Sequence, residues 1–207
     1  MLAHHVRVLV VAVLTLAINI EASFALTIDC TFRDFYYQGV GNIYHCRAAV
    51  VFDDNVRDEI TAVRGAHKNG NTNYDVEGLY IFNKSIDIFP TKIQDFFPNI
   101  KALHFPGNLI SNISNKNLIP FPNLQYLDLH GNKISSLDSD LFSGLDSLKL
   151  IRLSHNNIKH IGRDIILPKN CAIILFRNPC VHEYASTEDE IKCLKSTLQK
   201  QCPPAAV

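Results

Sequence analysis

The strongest constraint on what this chain can fold into is a pattern that returns every 24 residues. Leu124, Leu127, Leu129, Asn132, Ile134 and Leu137 read L-x-x-L-x-L-x-x-N-x-I-x-x-L. The same columns hold Leu148, Ile151, Leu153, Asn156, Ile158 and Ile161 one step on. One step back they hold Ile100, Leu103, Phe105, Asn108, Ile110 and Ile113. A further step back gives Val76, Leu79, Ile81, Lys84, Ile86 and Phe89, where only Lys84 breaks a column. Phe97, Phe121 and Leu145 add another column between these segments. Four copies held in phase are a repeat, and one copy cannot bury its apolar face alone, so the copies must stack.

Side chains alternate faces along a strand, so Leu127 and Leu129 are expected inward and Asp128 outward. Strands should centre on 79–81, 103–105, 127–129, 151–153 and, shortened, 173–175. After each strand the chain turns inside the stack and leaves backbone groups short of partners. An Asn amide has both donors and an acceptor. Asn108, Asn132 and Asn156 are therefore expected as a buried ladder, and Lys84 marks an atypical terminal copy.

Period and consensus resemble those of extracellular leucine-rich-repeat proteins, over about residues 76–178. The resemblance implies an α/β right-handed solenoid with a parallel concave sheet, irregular or 3-10 convex arcs, a β-hairpin N-cap and a helical C-cap. Prolines 90, 98, 106, 120 and 122 argue against long helices in the arcs, though 139–145 suits one helical turn.

The expected organisation is a signal peptide over 1–25, an N-terminal cap over 26–75, repeats over 76–170 and a C-terminal cap over 171–207. Arg7, the apolar run from Val8 to Ile18 and the small residues of Ser23-Phe24-Ala25 carry the first assignment. No later run is long enough to span a bilayer, which points to a secreted, extracellular chain. In the N-cap, segments 31–37 and 43–52 read as a hairpin about Gly39 and Gly41, and 60–65 as a third strand. In the C-cap, Thr187 should cap a helix over 188–200 with Ile191, Leu194 and Leu198 inward.

All six cysteines follow the signal and none lies in the repeats, as expected of disulfides stapling two caps. Cys30 and Cys46 flank the hairpin and are paired on that ground. Four cysteines remain, and sequence alone allows three pairings of them. Cys171 shares the inward parity of Ile173, and Cys193 sits beside Leu194. This favours Cys171–Cys193 with Cys180–Cys202, which also resembles the crossed pairing of many leucine-rich-repeat C-caps.

Three outward rows should cross the concave face, with strands about 4.8 Å apart. They are Tyr80, His104, Asp128, Arg152, Ile174; then Phe82, Pro106, His130, Ser154, Phe176; then Gly78, Ala102, Tyr126, Leu150, Ala172. Aromatic groups mixed with single charges suit a partner surface. Tyr80, Phe82, His104, Tyr126, Asp128, His130, Arg152 and Phe176 are the candidate partner-binding residues, with Asp128 pairing Arg152. His104, His130 and His155 lie near one another but in offset rows, so no metal site is expected. Asn83 and Asn112 head N-glycosylation sequons.

Formal charge is +0 and no Lys/Arg cluster stands out, which argues against nucleic acid and anionic membrane. Catalytic signatures are missing: His182-Glu183 begins a zinc-protease motif, but Ser186 stands where its second His belongs. Asp128, His130 and Ser154 resemble a triad only weakly, since a flat sheet excludes no water. The reading is a non-catalytic binding domain for an extracellular protein ligand, with no cofactor. Resemblance to short arthropod leucine-rich-repeat proteins implies immune-type recognition. The alternative is a structural or matrix component that self-associates through the sheet face, for instance as a homodimer.

Overall fold

The structure, a computed structural model, describes residues 26–52 and 58–205. The expected signal peptide at 1–25 lies outside the described residues.

Strands β1 (Leu26–Tyr37) and β2 (Gly41–Phe52) form an antiparallel hairpin, and β3 (Ile60–Arg64) pairs parallel with β1. The repeats follow as β4 (Gly78–Tyr80), helical turn α1 (Ile93–Phe96), β5 (Ala102–His104), helical turn α2 (Asn115–Leu118) and β6 (Tyr126–Asp128). Next come β7 (Ser136–Leu137), β8 (Leu150–Arg152), β9 (His160–Ile161) and β10 (Ala172–Ile174). Strand β11 (Tyr184–Ala185) and helix α3 (Glu188–Gln201) close the chain.

One sheet runs β11-β10-β8-β6-β5-β4-β2-β1-β3 among the described residues. Its centre is parallel and in register, with Leu79, Leu103, Leu127, Ile151 and Ile173 side by side. These strands begin one residue earlier than expected. Ladder hydrogen bonds nonetheless continue past them, as in Ile81 N to His104 O (2.9 Å) and Phe105 N to Asp128 O (2.8 Å). The inward columns form one continuous core from Leu26 to Cys202. Leu127 and Leu129 are buried in it, and each such side chain contributes about 1.5–3 kcal/mol.

The Asn ladder has four rungs. Asn108, Asn132 and Asn156 each donate to carbonyls of their own and the preceding repeat and accept a backbone N–H from that repeat. Asn178 repeats the pattern in the cap, donating to Leu153 O (3.0 Å) and Leu175 O (2.9 Å) and accepting from Ile158 N (3.2 Å).

The convex arcs are irregular, with two additions. β7 and β9 pair in parallel, joining the Leu137 and Ile161 columns in a second small sheet. Residues 139–145 form no helix. Successive four-residue turns close there instead, among them Ser143 N to Asp140 O (2.8 Å) and Leu145 N to Phe142 O (3.2 Å). The single helical turns lie at α1 and α2, the latter started by a capping box of Ser114 and Asn117.

Both ends of the stack are closed. At the N-terminal end, Leu26, Ile28 and Phe32 of β1 and Cys46 and Ala48 of β2 extend the core, and a disulfide joins Cys30 to Cys46. At the other end Thr187 and Glu190 form the capping box of α3, which buries Leu194 and Leu198. Cys180 is bonded to Cys202 just past the helix. The expected Cys171–Cys193 bond is not formed. Cys171 is buried inside the stack, whereas Cys193 precedes the inward Leu194 by one position, a rotation of about 100° on a helix, and is exposed. Burial pushes the Cys171 thiol up to about 12, so it is inert at neutral pH.

Candidate functional site: the concave face of the sheet

The concave face is not an open sheet. The tip of the β1–β2 hairpin folds over its third row. Tyr37 and Ile43 form a second apolar cluster with Ala102, Tyr126 and Leu150, flanked by Val40, Ala172 and Ile174. The row begins with Gly78 because the hairpin crosses there. A Cβ at that position would stand 3.1 Å from Ile43 and from His45, closer than ordinary van der Waals contact. Outward parity predicts a Tyr126 ring presented to solvent. It is buried edge-on against Tyr37, with ring centroids 5.0 Å apart.

The middle of the first row is also covered. Asp128 has 0% exposure and is ringed by donors. Tyr126 Oη donates to its Oδ2 (3.1 Å), and the His130 backbone N–H donates to its Oδ1 (3.0 Å). His130 Nδ1 lies 2.8 Å from Oδ1, and His104 Nε2 (3.3 Å) and Arg152 Nη1 (3.2 Å) approach Oδ2. Burial alone would push this carboxyl up. Hydrogen bonds from His104 and His130 outweigh it and hold the group well below the usual carboxylate range. The aspartate therefore organises the face from beneath and does not reach a partner.

The histidines do not converge as ligands. His104 and His130 take opposite oxygens of Asp128, and His155 is exposed at the end of its turn. Among the described residues no group of three or more His, Cys, Asp or Glu is placed to hold a metal ion.

His45 lies outside the repeats, and no column of the pattern points to it. It is buried in β2, with Tyr37 Oη 3.1 Å from its Nδ1 and Arg33 Nε donating to its Nε2 (3.4 Å). Burial, then the charges of Arg33, His104 and Arg47, lower its pKa from 6.5 to about 4. The ring folds neutral, because a proton on Nε2 would meet Arg33 head-on. The unfolded chain binds that proton below about pH 6.5, while the folded chain resists it until about pH 4. Stability from this group is complete above the first value and is lost as pH falls to the second. The loss should total on the order of 3 kcal/mol at 1.36 kcal/mol per unit. Urea midpoints measured across that interval should fall for the native chain and fall clearly less for His45→Gln. Parallel pH profiles would reject this origin.

What remains open are the outer parts of the first two rows. Phe82 and Phe176 are 46% and 39% exposed at the two ends of the second row. His130 and Ser154 lie between them, half-buried, and Pro106 is buried. Tyr80 and Arg152 are half-buried beside that row. Phe82 and Tyr80 have parallel rings 6.2 Å apart. Asn83 and Asn112 are both exposed, the first at the rim beside Phe82.

Residues 122–166 match the family model described as Leucine rich repeat. No curated protein matches the sequence. A solved structure similar to this chain is the leucine-rich-repeat ectodomain of the receptor kinase SOBIR1 from Arabidopsis thaliana. It is 15% identical with a TM-score of 0.36, and the match covers 63% of this chain and 67% of that one. The in-register parallel strands, the Asn ladder and the family match over 122–166 together make this fold a leucine-rich-repeat solenoid.

Proposed function

We propose that this chain is a non-catalytic extracellular binding module that takes a protein partner on the uncovered part of its concave face. The observation carrying this reading is the exposed row from Phe82 to Phe176, two large apolar rings bracketing polar groups. Exposed aromatics on a rigid surface are characteristic anchors, because they bury much area at little entropic cost. Tyr80, His104, His130 and Arg152 supply the polar neighbours. Tyr126 and Asp128 serve by holding Arg152 and the histidines in place. The extracellular assignment draws support from the two cap disulfides, which persist in oxidising compartments, and from the accessible sequons at Asn83 and Asn112. No helix among the described residues is long and apolar enough to cross a membrane. Immune-type recognition is the specific role the sequence resemblance favours.

The test compares the wild-type chain with Phe82→Ala/Phe176→Ala in capture from extracellular fluid, alongside light scattering. A monomer that retains a protein the double variant binds about tenfold or more weakly is expected, since each lost anchor costs upwards of about 1 kcal/mol. Equal capture by both chains overturns the reading. A stable wild-type homodimer that the variant dissolves replaces it with self-association.

A further inference from the structure

At the N-terminal end of the exposed row, beside Phe82, the concave face carries a hollow of about 210 Å³. Arg47, Tyr80, Phe82 and Lys84 are among its lining residues, and none of them is acidic. A smaller cavity of about 110 Å³ shares Arg47 and Tyr80 and adds Arg33 and His104, again with no acid in its wall.

The fold gathers these cations without neutralising them. Strand register continues the first row outward, so that Arg47, Tyr80, His104 and Asp128 stand side by side, while Arg33 faces His45 across the hairpin. Lys84 stands where later repeats carry the ladder Asn. Its backbone N–H is taken by Asn108 Oδ1 (2.9 Å), and its side chain leaves the stack to line the hollow. None of the three cations forms an ion pair among the described residues. The Arg47 guanidinium lies 5.6 Å from the Tyr80 ring centroid and that of Arg33 lies 5.8 Å from that of Phe35. Stacking occupies one face of a guanidinium and leaves its N–H edge, where a carboxylate binds in bidentate fashion. Three like charges held this way repel one another until an anion arrives.

The extent of the cluster narrows the ligand. On its outer side the register sets Asp29 beside Arg64, and on the other the first row ends at the Asp128 carboxylate. A polyanion whose charge repeats along its length, such as a nucleic acid or a sulfated glycan, requires a basic track and meets only three cations here. Two or three carboxylates are enough to occupy them. The exposed part of Phe82 borders the same hollow and offers apolar area, which suits a protein segment and not a polyanion.

We propose that this end of the concave face recognises an acidic segment of the protein partner, with carboxylates on Arg47, Lys84 and Arg33 and a neighbouring apolar side chain against Phe82. The inference rests on the protein-binding reading above and names the chemistry of the partner.

Fluorescence anisotropy tests it with a labelled peptide of alternating glutamate and leucine and with the same peptide carrying glutamine for glutamate. The glutamate peptide should bind at low ionic strength and the glutamine peptide should not. Arg47→Ala/Lys84→Ala removes side chains that make no hydrogen bond or ion pair among the described residues. It should weaken binding about tenfold or more with an unchanged circular dichroism spectrum. Phe82→Ala should weaken it about fivefold. Lys169→Ala/Lys195→Ala removes the same charge on the C-cap and should change affinity less than about twofold. The proposal is overturned by absent glutamate-peptide binding, by equal loss in the two double variants, or by indifference to Phe82→Ala. A heparin hexasaccharide that binds more tightly, and with the same dependence on Phe82, overturns it in favour of a sulfated glycan. Absent peptide binding while Phe82→Ala/Phe176→Ala still loses a captured protein removes the acidic segment alone. Peptide binding with equal capture by both chains removes the protein-binding reading instead.

Discussion

Asn132→Ala is expected to lower the stability of this protein by about 3–5 kcal/mol, although the side chain it removes is small and touches no partner. Its Nδ2 donates to Phe105 O and Leu129 O, each at 2.9 Å, and its Oδ1 accepts Ile110 N–H at 3.1 Å. Alanine leaves the buried Ile110 N–H with no acceptor, at about 1–3 kcal/mol, and takes one of two amide donors from Phe105 O and from Leu129 O, which keep Asn108 and Asn156; each of those lost bonds adds about 0.5–1.5 kcal/mol. The upper end of that sum is not reached, because the turn can relax and admit water. Exposed Asn123, nine residues earlier in the same repeat, is the control, and its alanine variant should stay within about 0.5 kcal/mol. Guanidinium denaturation reads both, with the midpoint moving and the slope unchanged. A cost for Asn132→Ala no greater than that of Asn123→Ala would show that the ladder is ornamental.

Asp128→Ala should cost nearly as much, about 3 kcal/mol or more, because removing one member of a buried charged network strands the others. Tyr126 Oη, His104 Nε2 and the His130 N–H all lose their acceptor. Arg152→Ala breaks the same ion pair from the other side but should cost under about 1 kcal/mol, since its side chain is 40% exposed and water replaces the arginine. The asymmetry separates a buried organiser from a surface partner. It has a local consequence too. Tyr126 supports Tyr37, so amide exchange across 37–43 should quicken in Asp128→Ala and not in Arg152→Ala. Equal effects of the two substitutions would overturn this account. The carboxylate also makes stability acid-sensitive, since its contribution is complete above about pH 3.8 and fades only below that value. The His45 loss is finished by then.

The repeat columns translated into structure residue by residue, and for a physical reason. A strand has only two faces, so Leu127 or Leu153 at the wrong parity would expose the core. A buried turn has fixed hydrogen-bonding needs, so an Asn at a constant offset has one place to go. Thr187, with Glu190 three residues on, started α3 where a capping box must. The partner face was less legible. Tyr126 has outward parity, and the alternation was right about its direction, yet the ring is buried. Two hints stood in the sequence. Gly78, Ala102, Tyr126, Leu150 and Ala172 form a nearly apolar row, and the hairpin carries Tyr37, Val40 and Ile43 near its tip, where polar residues are usual. Each suggested a cover, but neither named the other.

By itself, then, the amino-acid sequence determined the repeat, the inward columns, the Asn rungs and the cap helix, because each depends on spacing along one strand, turn or helix. Only the tertiary structure decided that the hairpin lies across the third row, that Arg33 and Arg47 share a cavity with His104, and that Cys171 and Cys193 stay apart. Those depend on how distant segments are oriented in space. Parity fixes which way a side chain points, but not what another part of the chain has laid over it.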